Sequence, residues 1–201
     1  MKSIIKSIIR TISLIKTFFY CIKERIPFNS TWRIDGGIII VQPRFYQKKG
    51  YLRIGDYFHA QSNIRDNTFG IIQKVLIRYQ PGATITIGDY TGISGGTISA
   101  SNNITIGNHV MIGSGTVICD SDSHPIKIKD RDAPSKTQNA PIIIDDYVFI
   151  GARSIILKGV HIGKGTVVGA GSIVTKDIPA NVIAAGNPCK IIKQIENNDI
   201  V

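Results

Sequence analysis

The apolar positions of the chain keep a period of six. From Ile144 an aliphatic residue recurs at Ile150, Ile156, Ile162, Val168 and Val174. The position after it is Gly151, Gly163 and Gly169 in three of these units, and the fifth position is filled by Val148, Ser154, Val160, Thr166, Ser172 and Ile178. The same unit stands upstream at Ile87-Gly88 with Thr91, Ile93 with Thr97, Ile106-Gly107 with Val110 and Ile112-Gly113 with Thr116, and Ile54-Gly55-Asp56 is an earlier, more isolated copy. A fixed period overrules local propensity. It predicts a chain coiling round a narrow prism, each unit forming one flat side, with aliphatic residues stacked between coils, small residues inside and glycine relaxing φ at the corners. A β-sandwich would alternate at period two between regularly spaced turns, a rhythm that the run from Ile144 to Ile178 does not keep.

The N-terminal segment, 1–26, follows a different rule. Ile4, Ile5, Ile8, Ile12, Ile15, Phe19 and Ile22 fall on one side of a helical wheel, and Lys2, Lys6, Arg10, Ser13 and Thr17 fall opposite. This predicts a basic amphipathic helix. Lys6, Arg10 and Lys16 interrupt the apolar run, so it is neither a signal-peptide core nor a membrane span. Its stripe is expected either to pack on the protein or a neighbouring subunit, or to lie on an anionic membrane surface.

The net charge of +10 admits nucleic acid, anionic membranes and phosphorylated ligands as partners. No aromatic-basic motif supports nucleic acid, which is not expected. Cys21, Cys119 and Cys189 form no CxxC pair, fitting a reducing compartment, and His59, His109 and His161 lack partners at ligand spacing, so no metal is expected. Gly163-Lys164-Gly165 and Gly169-Ala170-Gly171 match no nucleotide-binding loop.

Taken with the closing segments Gly169-Ala170-Gly171-Ser172-Ile173-Val174-Thr175-Lys176-Asp177-Ile178-Pro179 and Ala185-Gly186-Asn187-Pro188-Cys189-Lys190, the repeats resemble the hexapeptide acetyltransferases, closest to the galactoside, maltose and polysaccharide O-acetyltransferase branch. The likeness covers roughly residues 84–195. It implies left-handed coiling, against the usual hand of parallel crossovers, and a homotrimer with active sites between neighbouring prisms. The expected fold is an all-β solenoid, a left-handed parallel β-helix with an N-terminal amphipathic helix and a short C-terminal helical segment. Its expected parts are the helix at 1–26, irregular coils and acceptor-side segment at 27–83, the β-helix at 84–187 with an excursion loop at 120–141, and a tail at 188–201.

The repeat breaks between Cys119 and Ile142 in a polar stretch punctuated by three prolines. Loops thrown from a rigid scaffold tend to carry function, and this one holds His124-Pro125. The resemblance implies that His124 is the catalytic base. Acetyl transfer from a thioester needs a base for the acceptor proton, and imidazole suits neutral pH. A carboxylate on the other ring nitrogen would fix the tautomer, and Asp122 and Asp120 are the candidates; the alternative for both is capping backbone. Cys119 falls in the slot of Gly107 and Gly113, a corner rather than a nucleophile.

For acetyl-CoA, the donor substrate, the resemblance implies Ala152 and Ala170 beside the pantetheine, then Thr175, Lys176 and Lys190. The two lysines also suit the phosphates of coenzyme A as point charges. Two departures weaken these contacts: the family often has arginine at Lys190 and serine at Ala152. The expected reaction is acetylation of a saccharide hydroxyl, on a surface polysaccharide or its precursor, in the cytoplasm or at the inner face of its membrane. The alternatives are N-acetylation of an amino sugar nucleotide or other small amine, and a β-helix that has lost activity.

Overall fold

The computed structural model describes residues 29–41, 50–64, 67 and 70–196, together with residues 8, 11, 12, 14, 15, 17–19, 21 and 22. Strands of successive coils stack into three sheets, one per face of a prism. The first face holds β1 (Arg33–Asp35), β4 (His59–Gln61), β7 (Gly92–Ser94), β10 (Met111–Ile112), β13 (Phe149–Ile150), β16 (Val167–Val168) and β18 (Val182–Ala185). The second holds β2 (Ile38–Val41), β5 (Val75–Tyr79), β8 (Thr97–Ala100), β11 (Val117–Cys119), β14 (Ile155–Ile156) and β17 (Ile173–Val174). The third holds β3 (Tyr51–Ile54), β6 (Thr84–Ile87), β9 (Asn103–Ile106), β12 (Ile142–Ile144) and β15 (His161–Ile162). All these pairings are parallel. Coils therefore extend upstream of residue 84 to Arg33.

The period of six becomes three stacked columns. Ile112, Ile150 and Val168 are partners on the first face, Ile118, Ile156 and Val174 on the second, and Ile106, Ile144 and Ile162 on the third. Every one of these side chains is buried. Each buried aliphatic contributes about 1.5–3 kcal/mol relative to exposure, and the columns run unbroken because each strand pairs with the coil before and the coil after.

The glycine that follows the aliphatic residue has a different cause from the one expected. Gly107, Gly151, Gly163 and Gly169 are not in the left-handed region; the residues that turn there include Gly115, Gly159, Gly165 and Gly171. A Cβ on Gly151 would lie 2.4 Å from the Ala170 nitrogen, and one on Gly163 equally 2.4 Å from the Ala180 nitrogen. Close approach of the next coil's backbone, rather than φ, excludes a side chain at this position.

At the corner between the third and first faces four successive coils turn not on glycine but on Tyr57, Tyr90, His109 and Tyr147, with φ of +56°, +56°, +55° and +61°, and the next coil turns on Gly165. Left-handed backbone costs an ordinary residue about 1–2 kcal/mol. Here the four rings stack, with centroids 4.5, 4.8 and 4.9 Å apart, and Lys164 Nζ lies 5.4 Å from the Tyr147 ring. Each aromatic contact contributes about 0.5–1.5 kcal/mol in the opposite direction. Beside the stack the side chains of Asp89, Asn108 and Asp146 accept the amide N–H of Asp56, Asp89 and Asn108, at 2.7, 2.8 and 2.6 Å.

The N-terminal segment is helical at its described positions, but its seating inverts one expectation. Thr17 and Cys21, one turn apart, are buried, and Cys21 joins the core cluster that includes Trp32 and Phe58. Ile8, Ile12, Ile15, Phe19 and Ile22 of the apolar stripe are exposed, so the described part of the stripe is not buried against the prism. Small side chains let the helix approach the prism, and the bulky stripe is left outside. Ile4, Ile5, Lys2, Lys6, Arg10 and Ser13 lie outside the described residues. Among the described residues no helix is long and apolar enough to cross a membrane.

At the other end, Lys190–Gln194 forms β19, antiparallel to β18, in place of the expected helical segment. The free edge of β18 supplies N–H and C=O groups for pairing, and a strand satisfies them where a helix would not.

Candidate active site

The excursion leaves and re-enters the prism at the corner between the second and third faces. It returns in register, Ile142 pairing with Ile104 as though no residues had been inserted. Its neck is tied by the Ser121–Asn139 bridge, by Ala140 N–H donating to Asp120 O at 3.0 Å, and by Asp122 N–H donating to Gln138 O at 3.0 Å. The fully buried Asp120 carboxylate accepts the N–H of Ser101 at 2.6 Å and of Asn102 at 2.8 Å, on the preceding coil. Burial pushes the Asp120 carboxyl above the usual range, opposed by these backbone donors. Asp120 is thus a clasp between coils and not a partner of His124.

Beyond the neck, Ser123 turns in the left-handed region with φ of +62°, and buried Pro125 follows His124. The buried proline and the turn hold the backbone on both sides of an exposed imidazole. His124 has no hydrogen bond or ion pair among the described residues. Asp122 makes no hydrogen bond to it among the described residues; Asp122 Oδ1 pairs with Lys158 Nζ at 2.8 Å. Asp122 Oδ2 is buried with no partner. An unpaired buried acceptor is costly, on the order of 1–3 kcal/mol, so this half of the carboxylate is open to a donor.

The next two coils complete the column. Lys158 and Gly159 turn beneath the neck, with Gly159 N–H donating to Ala140 O at 3.1 Å, and Thr175, Lys176 and Asp177 turn at the coil after. Thr175 and Lys176 are exposed. Ala152 and Ala170 stand across the second face, at its corner with the first, where Gly171 N–H donates to Ala152 O at 2.8 Å. Lys190 opens β19 just past Cys189, whose N–H reaches Ile173 O at 2.8 Å. The fold thus gathers the His124 loop, Lys158 and Thr175–Lys176 on one corner, and puts Ala152, Ala170 and Lys190 along the other edge of the same face. Between them the second face presents half-buried Val117, Ile155 and Ile173.

A match to the family model described as "Hexapeptide repeat of succinyl-transferase" covers residues 141–176. A hexapeptide-repeat acetyltransferase from Vibrio cholerae, solved in complex with acetyl-CoA, is 31% identical over 74% of this chain and 70% of its own, with a TM-score of 0.54. This chain belongs to the hexapeptide-repeat acetyltransferase family. Its prism is the left-handed parallel β-helix. Galactoside O-acetyltransferase of Lactococcus lactis is 43% identical over 103 residues, 51% of this chain and 49% of that protein. The 2,3,4,5-tetrahydropyridine-2,6-dicarboxylate N-acetyltransferase of Clostridium perfringens (strain SM101) is 59% identical over 63 residues, 31% of this chain and 25% of that one. The aligned segments span half or less of these two relatives.

Within this hexapeptide-repeat protein the other reactive groups are already engaged. Cys119 Sγ contacts Ser121 O at 3.3 Å on a corner, His59 pairs with Asp35 at 3.2 Å and His161 with Asp145 at 3.0 Å. Lys158 was not anticipated, yet a signal for it exists. Val168 stands one coil after its partner Ile150, and the same step back along the sequence from Lys158 arrives at Ala140, in the neck of the excursion.

Proposed function

We propose that this chain moves an acetyl group from acetyl-CoA to a hydroxyl of a saccharide, with His124 as general base. The observation that carries this reading is the exposed, unpartnered His124 on a loop tied to the prism at its neck, one face away from a smooth alanine edge. His124 takes the acceptor's proton while the acceptor oxygen bonds to the thioester carbonyl carbon. The carbonyl oxygen turns negative, then the C–S bond breaks and the imidazolium returns the proton to the departing thiolate. Asp122 Oδ2, buried and without a donor, is suited to accept a ring N–H of His124 once substrate orders the imidazole. Exposed Lys176 and Lys190 supply positive charge for phosphates, and the methyl groups of Ala152 and Ala170 leave room for an extended chain.

The galactoside relative supports a sugar acceptor, and the acetyl-CoA complex of the Vibrio cholerae protein supports the donor. A homotrimer with sites between prisms, working in the cytoplasm where acetyl-CoA is made, completes the proposal. A second reading, N-acetylation, has the Clostridium perfringens relative in its favour. Release of free thiol from acetyl-CoA, followed over free sugars, nucleotide sugars, amino sugars and purified glycans, separates the two. Turnover on a hydroxyl of a neutral sugar supports the first, and turnover confined to amines overturns it.

A further inference from the structure

We propose that the apolar stripe of the N-terminal helix is a docking surface for an anionic lipid bilayer. The helix is seated on the prism by Thr17 and Cys21, each 1% exposed, while Ile8, Ile12, Ile15, Phe19 and Ile22 remain 47–64% exposed. These five recur at spacings of four and three, so they form one row along the helix. Leaving them about half or more exposed forgoes much of the transfer gain that burial of each would bring. The side of the helix that meets the prism is thus the one with small residues, and among the described residues the side left exposed carries large apolar ones.

Charge decides which apolar phase fits. The segment 1–26 contains Lys2, Lys6, Arg10, Lys16, Lys23 and Arg25 against the single acid Glu24. A second copy of the segment would bring like charges together around the shared stripe. A bilayer with anionic headgroups supplies both an acyl layer for the isoleucines and charge for the lysines and arginines. The segment would lie in the interface plane and not cross it, in keeping with the absence of a spanning helix among the described residues.

The test uses the full chain and needs no acetyl transfer, so it stands or falls apart from the enzymatic proposal. The protein is floated with vesicles of phosphatidylcholine alone and of phosphatidylcholine with phosphatidylglycerol. Flotation with the mixed vesicles only, released as salt rises through the range where the screening length falls below about 10 Å, supports the proposal. The double variant Ile12→Ser, Ile15→Ser should bind mixed vesicles at least about tenfold more weakly, with unchanged melting temperature and oligomer size. Failure of the wild-type protein to float, or equal flotation of the variant, overturns it. So does a change of oligomer size in the variant, which would make the stripe a contact between copies of this chain.

Discussion

Two imidazoles stand at corners of one prism and end in opposite situations. At the corner between the third and first faces, His109 lies between Tyr90 and Tyr147, ring on ring at 4.8 and 4.9 Å. At the corner between the second and third faces, His124 rides on the excursion, exposed and unpaired. The first corner commits its side chains to its own backbone and to one another. The second is tied down at Asp120 and at the neck, and leaves an imidazole and a buried carboxylate oxygen without partners. A group can act on a substrate only if the fold has not already used it, and the two corners show the same residue type on either side of that line.

Removing the clasp should have the largest effect on stability. Asp120→Ala deprives two backbone N–H groups of their acceptor, and a loss of about 2–6 kcal/mol at about 1–3 per unsatisfied group should appear as a lower melting temperature. An unchanged melting temperature would mean that the excursion is held by its neck alone. The carboxyl also makes a pH prediction. Its folded pKa is raised, so the native state binds the proton more tightly than the unfolded one. Its contribution to stability is then greatest below the unfolded carboxylate value of about 3.9 and declines as pH rises from there through the folded pKa. Thermal melts of the wild type and Asp120→Asn across this range should diverge with that sign, and parallel curves would refute it.

On the open side, Lys176→Ala should raise KM for acetyl-CoA more than KM for the acceptor, by about 1–3 kcal/mol, the range for a hydrogen bond to a charged group. An unaltered acetyl-CoA constant would show Lys176 to be merely solvated. At the closed corner the effect should fall on stability alone. His109→Ala removes one ring from the ladder and should lower stability by about 0.5–1.5 kcal/mol for each of its two stacked neighbours, leaving turnover intact. A large loss of turnover in this variant would erase the contrast between the corners.

The columns of aliphatic residues were legible because a period of six is imposed by the prism on every coil, and Ile144 to Val174 obey it without a slip. The reason for the glycines was not, because the approach of Ala170 to Gly151 is a contact between coils, and a repeat read along the chain carries no distance between them. The helix showed its two faces in the sequence, but which one seats on the prism depends on shape, and Thr17 and Cys21 fit where isoleucine would stand off. β19 escaped notice because its cause is the open edge of β18. At the site, the break in the repeat located the excursion, and resemblance singled out His124 within it. Asp122 was legible as a candidate orienter from proximity in sequence, but Lys158, which holds its Oδ1 from a later coil, was not.

That His124 is the working base and the rest of its loop a holder is tested most directly by turnover of His124→Ala with an acceptor established by thiol release. General-base assistance contributes about 10²- to 10⁴-fold, or roughly 3–5 kcal/mol. The variant should lose that much in kcat while its melting temperature and coenzyme A affinity stay near those of the wild type, since His124 has no bonded partner in the fold to lose. Near-full turnover by His124→Ala would contradict the account and make Cys119 the next residue to replace.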